Sequence, residues 1–189
     1  MYCRRTAGNT RVAKDDRTRR FELLALPHLD AAYNLARWLT GTPSDAEDVV
    51  QDAYLRAFRY MDAFRGGNFR VWLLAIVRNS FITWVKDNRS ARLVFQPADP
   101  DTPSLAWADA QPDPEAMLLQ RTDRETVIRL LTQLPTEYRE VLILREIEDL
   151  PYKDIATITE VPAGTVMSRL SRARLALRKA WLADQGAKS

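Results

Sequence analysis

The stretch that most constrains this chain is Val161 to Trp181, VPAGTVMSRLSRARLALRKAW. Val166, Leu170, Ala173 and Leu177 recur at helical spacing and predict a single apolar stripe. The other faces carry Arg169, Arg172, Arg174, Arg178 and Lys179, with no acidic residue among them. A scaffold helix ordinarily mixes charge signs to gain pairs one turn apart. Before it, Tyr152 to Thr159 predicts a short helix with Ile155, Ala156 and Ile158 inward. The break at Glu160-Val161-Pro162 puts a proline where a new helix tolerates its missing N–H. Two short helices, a tight turn and a basic second helix have the form of a helix-turn-helix. A helix with merely solvated arginines and a membrane-surface helix are the rival readings. The all-basic polar face argues against the first, and the short partner helix against the second.

Composition narrows the classes. A net charge of only +3 in 189 residues means that nucleic-acid affinity must come from local patches. One cysteine, Cys3, leaves no internal disulfide and no cysteine-based metal site, which suits a reducing compartment. The one histidine, His28, lies beside Pro27 at an expected helix junction and reads as a surface or capping residue. No stretch has the apolar length of a membrane span, and the basic N-terminus lacks the apolar core of a secretion signal. No Gly-rich phosphate loop, metal-ligand spacing or nucleophile–base arrangement can be assembled. A non-enzymatic, cytoplasmic protein without cofactor or metal is expected.

The helical period extends through the chain, and no strand pattern interrupts it. Residues 1–19 are polar and basic, and are read as a solvated, unstructured tail. From Phe21 to Thr40, Pro27 should split a short helix from a longer one that stops at Gly41-Thr42-Pro43. Ser44 and Glu47 read as a capping box for a helix from Asp45 to Met61, which is expected to bury Ala46, Val49, Val50, Ala53, Tyr54, Ala57 and Phe58. Its first turn carries Asp45, Glu47 and Asp48. Favourable helix-dipole charge explains them, and so does an acidic docking surface that continues through Gln51, Asp52 and Arg56.

Phe64 to Asn68 contains Gly66-Gly67 and reads as a flexible loop, with Asn68 capping a helix from Phe69 to about Arg89. In that helix Arg70, Arg78, Asn79 and Lys86 interleave with Trp72, Phe81 and Trp84. Cations for phosphates beside aromatic faces for bases suit unpaired nucleic acid. Trp72 and Phe81 read as core, and Trp84 is left open. Residues 96–115 hold five of the ten prolines, five acidic residues and no basic one, which predicts an extended linker. A second helical block follows over 116–183, with a short tail over 184–189. The fold expected is all-α: two small helical domains, 20–95 and 116–183, joined by an acidic Pro-rich linker, with the helix-turn-helix in the second.

Three runs, in this order, carry a family resemblance: DAEDVVQDAYLRAFRYMDAFRG, VWLLAIVRNSFITWVKDNR and, past the linker, LPTEYREVLILREIEDLPYKDIATITEVPAGTVMSRLSRAR. The chain resembles the extracytoplasmic-function sigma factors over roughly residues 20–95 and 116–182. The resemblance implies a promoter-specificity subunit that binds core RNA polymerase and helps melt promoter DNA, with an anti-sigma factor as a plausible regulator. By position, Asp45, Glu47, Asp48, Gln51 and Asp52 match the helix that docks on the polymerase clamp. Asn79 matches the position that holds a flipped −10 base, with Phe64, Arg65, Asn68, Arg78 and Lys86 in the same −10 set. Thr165, Met167, Ser168, Arg169, Ser171 and Arg172 would face the −35 duplex, with Arg174 on a phosphate. Met167 stands where many relatives carry a basic residue, Asp52 is shorter than the usual Glu, and Lys86-Asp87-Asn88-Arg89 is less basic than the usual run. The competing function is a helix-turn-helix regulator that binds an operator as a dimer; it has no need of an acidic docking helix.

Overall fold

The computed structural model describes residues 7–88 and 126–188, so the linker expected at 96–115 lies outside the described residues. All regular structure among the described residues is helical. Helix α1 runs Ala7–Ala25 and a 3₁₀ turn follows at Leu26–His28. Helices α2 (Leu29–Thr40), α3 (Pro43–Arg59) and α4 (Phe69–Asp87) complete the first block. The second contains α5 (126–133), α6 (Thr136–Leu142), a π-helical turn at Ile143–Ile147, α7 (Tyr152–Thr159) and α8 (Ala163–Lys188).

Proline and glycine punctuate the first block as expected. Pro27 lies in the turn between α1 and α2, and Gly41 ends α2 at φ 91°, its N–H donating to the Arg37 carbonyl. Asn68 caps α4 by accepting from the Val71 N–H at 3.4 Å. The cap of α3 differs from expectation. Thr42, not Ser44, accepts from the Asp45 N–H at 3.2 Å, and Pro43 opens the helix. Proline at the first helical position already has helical φ, so the helix starts two residues early and Ser44 is drawn inside it.

The segment read as an unstructured tail also differs, because α1 reaches back to Ala7. Arg17 explains why the helix is held. Its guanidinium donates to the carbonyls of Phe58 at 2.8 Å and Arg59 at 3.1 Å, at the C-terminal end of α3. It also pairs with Asp62 at 3.4 Å and lies 5.0 Å from the centre of the Phe58 ring. A helix end leaves carbonyls without intrahelical donors, and a cation there satisfies them and opposes the negative pole. Phe21 packs edge-on against Phe58 and Tyr54, and the Tyr54 hydroxyl donates to the Ala25 carbonyl at 3.0 Å. Burial, then the Asp30 charge, pushes that phenol up to about 12.

In the second block, α7 occupies the expected residues, with Ile155 and Ile158 fully buried. Glu160 makes the turn in the left-handed region at φ 56°, and the Pro162 carbonyl accepts from Thr165 and Val166 at the start of α8. Val166, Leu170 and Ala173 form the buried stripe. Helix α8 continues through the expected C-terminal tail to Lys188, and Asp184 pairs with Arg129 of α5. The π turn was not expected. Its wider winding bonds the Glu148 N–H to the Ile143 carbonyl and places Glu148 in the interior, 6% exposed.

The two blocks pack against each other. One continuous apolar cluster joins Leu35, Val49, Leu74 and Val77 of the first to Leu131, Val141, Leu144, Ile155 and Val166 of the second. Arg139 pins the junction. Its guanidinium donates to the Trp38 carbonyl of α2 at 2.8 Å and to the Thr132 and Leu134 carbonyls at 3.1 and 3.2 Å.

Candidate nucleic-acid and polymerase interfaces

The buried stripe of α8 fixes which residues face outward. Met167, Ser168, Ser171 and Arg172 are all exposed, and their spacing of one and four residues makes one strip along the helix. Met167 is 55% exposed, an apolar group displayed rather than packed. The Ser168 hydroxyl donates to the Thr165 carbonyl at 2.9 Å, and Thr165 is half-buried at the helix start. Two residues of the expected −35 set are engaged elsewhere. Arg169 lies beside the stripe, half-buried, close enough to act on the Glu140 carboxyl. Arg174 binds Glu146 through Nε at 3.1 Å and Nη2 at 2.6 Å, as an exposed pair. Exposed pairs are worth about 0.2–1 kcal/mol, so Arg174 is easily released to a phosphate.

The expected −10 residues do not form one cluster. Phe64 is half-buried, its ring 5.2 Å from Phe69 and 5.4 Å from Trp72. Its loop turns at Gly66 and Gly67, with φ of 98° and 100°, where any Cβ would be strained. Arg65 is exposed at that loop, and the Asn68 side-chain oxygen serves as the cap. Lys86 is exposed at the opposite end of α4, roughly 25 Å from Asn68 at 1.5 Å per residue. Arg78 and Asn79 lie between the two ends. Trp72 is half-buried in the aromatic cluster rather than enclosed, Phe81 is 8% exposed, and Trp84 stacks on Phe81 at 6.3 Å. His28 stacks on Phe69 at 6.3 Å, and burial, then the Arg70 charge, lowers its pKa.

On α3, Glu47, Asp48 and Gln51 are exposed, while Asp45 and Asp52 are half-buried. Asp52 holds Arg56 at 2.7 Å, which partly neutralises it. Between α2 and α3 runs a shallow groove of about 470 Å³, with Leu29, Tyr33, Val50 and Tyr54 as its floor and Asp30, Glu47 and Gln51 along it.

The junction between the blocks contains polar groups that the sequence reading did not assign. Arg70 pairs with Glu148, which also accepts from the Asn34 amide at 3.4 Å. Arg78 pairs with Glu140, and the Asn79 amide donates to Glu160 at 3.3 Å. Burial raises the Glu140 carboxyl above the ordinary carboxylate range, against the pull of Arg78 and Arg169. Burial likewise lowers the pKa of the Arg139 guanidinium. No local sequence signal marks these carboxylates, since each partner lies dozens of residues away. Among the described residues, no His/Cys/Asp/Glu group could hold a metal ion, and no helix is long and apolar enough to cross a membrane.

Two family models match the chain in order. Sigma-70 region 2 covers residues 24–91, which contain α2 to α4, and Sigma-70, region 4 covers 124–177, which contain the helix-turn-helix. The RNA polymerase sigma-H factor of Pseudomonas aeruginosa is 36% identical over 90% of this chain and 90% of its own length. The ECF RNA polymerase sigma factor SigE of Mycolicibacterium smegmatis is 34% identical over 82% of this chain. The chain belongs to the extracytoplasmic-function (ECF) sigma-factor family. The match spans 59% of the length of that second relative. Among solved structures, the sigma factor RpoE of Bartonella quintana, crystallised with the anti-sigma factor NepR, matches with a TM-score of 0.70 at 28% identity. That match covers 87% of this chain and 98% of the other.

As an ECF sigma factor, the chain is a transcription initiation protein of a non-catalytic family. Its α4 falls within region 2 and its exposed α8 strip within region 4. The start of α1 and the end of α8 lie outside both regions.

Proposed function

We propose that this ECF sigma factor is the promoter-specificity subunit of RNA polymerase, acting in the cytoplasm and catalysing no reaction itself. The observation that carries the reading is the order of the two regions, with an exposed strip on α8 and an acidic rim on α3. Asp45, Glu47, Asp48, Gln51 and Asp52 hold the polymerase clamp. The strip of Met167, Ser168, Ser171 and Arg172 enters the major groove at −35, with Thr165, Arg169 and Arg174 at its margins. An arginine bidentate to guanine discriminates by about 1–3 kcal/mol. A thymine methyl is the apolar partner that Met167 can meet there.

Asn79 receives the −10 base drawn from the stack, because an amide offers both donors and acceptors to a base edge. Arg65, Arg78 and Lys86 hold phosphates on either side of it, and Phe64 and Asn68 shape the loop. Unstacking costs a few kcal/mol, which base capture and polymerase binding together offset. An anti-sigma protein that covers the α2–α3 groove would block docking; the sigma-factor neighbour crystallised with NepR supports such a partner.

Reconstituted transcription tests the proposal. Core polymerase should initiate at a specific promoter when this chain is added, and not without it. Tight operator binding without polymerase, together with no initiation in its presence, would instead favour a self-sufficient regulator.

A further inference from the structure

The chain leaves α3 at Arg59, passes the 3₁₀ turn Met61–Ala63 and enters the loop from Phe64 to Asn68. One guanidinium spans that exit. Arg17 donates to the Phe58 and Arg59 carbonyls at 2.8 and 3.1 Å, and pairs with Asp62 inside the turn at 3.4 Å. It lies ahead of the match to Sigma-70 region 2, which begins at residue 24. We propose that Arg17 is a positioning residue for −10 recognition. It fixes the course on which the chain enters the loop, and so the placement of Arg65 and the loop backbone against the melted strand. The proposal rests on the assignment of this loop to the −10 element.

The loop has little stiffness of its own. Gly66 and Gly67 turn it at φ 98° and 100°, and glycine restrains the backbone less than any other residue. Its placement is therefore decided by what flanks it. On the α4 side it is held by the Asn68 cap and by the Phe64 ring against Phe69 and Trp72. On the α3 side it follows the turn, where the Ala63 N–H donates to the Tyr60 carbonyl at 2.9 Å and the Phe64 N–H to the Met61 carbonyl at 3.0 Å. Both bonds lie within residues 60–64, so they set the shape of the turn rather than its angle to α3. Arg17 ties that joint, with donors on α3 and on the turn at once. A cleft of about 240 Å³, lined by Asp16, Arg17, Arg20, Met61 and Asp62, opens between α1 and the turn, so close packing does not serve in its place.

Arginine suits the joint because its planar fork serves several acceptors and its charge opposes the negative pole of α3. Stability alone does not explain the residue. Helix α1 is also docked by Phe21 against Phe58 and Tyr54, and by the bond from Tyr54 to the Ala25 carbonyl. The Arg17 Nε is enclosed without a partner among the described residues, and an enclosed donor left unpaired is destabilising. The Asp62 side chain is 76% exposed, and ion pairs so exposed stabilise little. What the arrangement supplies is a fixed geometry between α1, α3 and the turn.

The test uses the full chain with core polymerase and promoters in which each −10 base pair is changed in turn. Arg17→Gln should bind core polymerase as wild type does by fluorescence anisotropy, and should keep its −35 preference. Its discrimination between cognate and altered −10 elements in open-complex formation should fall about tenfold, the order of one misaligned hydrogen bond to a captured base. Phe21→Leu loosens α1 without removing the guanidinium, and it should keep the wild-type −10 preference. Unchanged −10 discrimination in Arg17→Gln would overturn the inference, as would an equal loss in Phe21→Leu, which would make Arg17 merely structural.

Should Arg17→Gln fail to fold, Arg17→Lys keeps the charge but not the fork. It should fold and lose about threefold of the same discrimination, the order of one weakened hydrogen bond. Wild-type discrimination in that variant would overturn the inference. If wild-type holoenzyme itself initiates without dependence on the −10 sequence, the assignment of the loop fails. Initiation that depends on −10 equally with and without Arg17 defeats the inference alone.

Discussion

Helices α4 and α8 are both rich in cations, yet they present them differently. On α8 the strip of Met167, Ser168, Ser171 and Arg172 is open to solvent, and its neighbour Arg174 is held by the exposed Glu146 carboxylate and by Tyr152. On α4 the corresponding groups are met by carboxylates, two of them buried; Arg78 retains 16% side-chain exposure and Arg70 29%, while Asn79 and its partner Glu160 are exposed. A duplex reader needs only a rigid helix with a clean face, because the groove is already formed. A reader of melted DNA has no substrate until the duplex is opened, so its polar groups pair within the chain in the meantime. The buried stripe of α8 also locks its orientation, whereas the polar side of α4 depends on where the second block lies.

The largest effect that would break this contrast is expected at Arg139. Its bond to the Trp38 carbonyl ties the second block to the first, its bonds to the Thr132 and Leu134 carbonyls brace the second block itself, and Arg139→Ala leaves these part-buried acceptors without donors. Loss of about 3 kcal/mol of stability is expected from hydrogen bonds to a charged group, read as a lower midpoint in urea unfolding. A change below about 0.5 kcal/mol, the scatter of ordinary surface substitutions, would mean that the apolar cluster alone fixes the packing.

Asn79→Ala comes next. Open-complex formation should weaken by about 1–3 kcal/mol, the cost of leaving a captured base's hydrogen-bonding groups unpaired. Binding to core polymerase should stay unchanged by fluorescence anisotropy. Equal loss of both would mark Asn79 as structural, held for its bond to Glu160.

On the other helix, Arg172→Ala should reduce binding to −35 duplex by about 1–2 kcal/mol and relax preference at one base pair. Uniform weakening over all sequences would make Arg172 a phosphate contact. The smallest effect is expected at Met167. Met167→Ala should cost about 1 kcal/mol, in line with about 0.8 kcal/mol per buried methylene. The loss should disappear on a −35 element in which deoxyuridine replaces the contacted thymidine. A loss that is the same on both templates would show that Met167 does not read a methyl group.

Much of the fold was legible because it depends on local rules. The period of Val166, Leu170 and Ala173, the stop at Gly41, the cap at Asn68 and the split at Pro27 each follow from a few adjacent residues. The reading failed where a distant contact decides. Arg17 orders α1 by capping a helix more than forty residues away, so the polar composition of the first segment was misleading. Thr42 displaced Ser44 because a proline sets the first turn.

The candidate site divides in the same way. The α8 strip could be read from spacing, because its buried face selects its outward one. The engagement of Arg70, Arg78 and Asn79 could not, since it depends on a π turn, two left-handed residues and the packing of one block on the other. The −10 set extends along the whole of α4 and the loop before it. Phe64 joined an aromatic cluster and Lys86 lies at the far end of α4, both consequences of helix length and ring packing rather than residue type.

That the two helices read different states of DNA is tested most directly by open-complex formation on two promoter templates, one fully paired and one mismatched across −10. Prior opening removes the unstacking cost that base capture must offset. Asn79→Ala should therefore be severely impaired on the paired template and largely restored on the mismatched one, while Arg172→Ala stays equally impaired on both. Equal rescue of the two variants, or rescue of neither, would contradict the division of labour between α4 and α8.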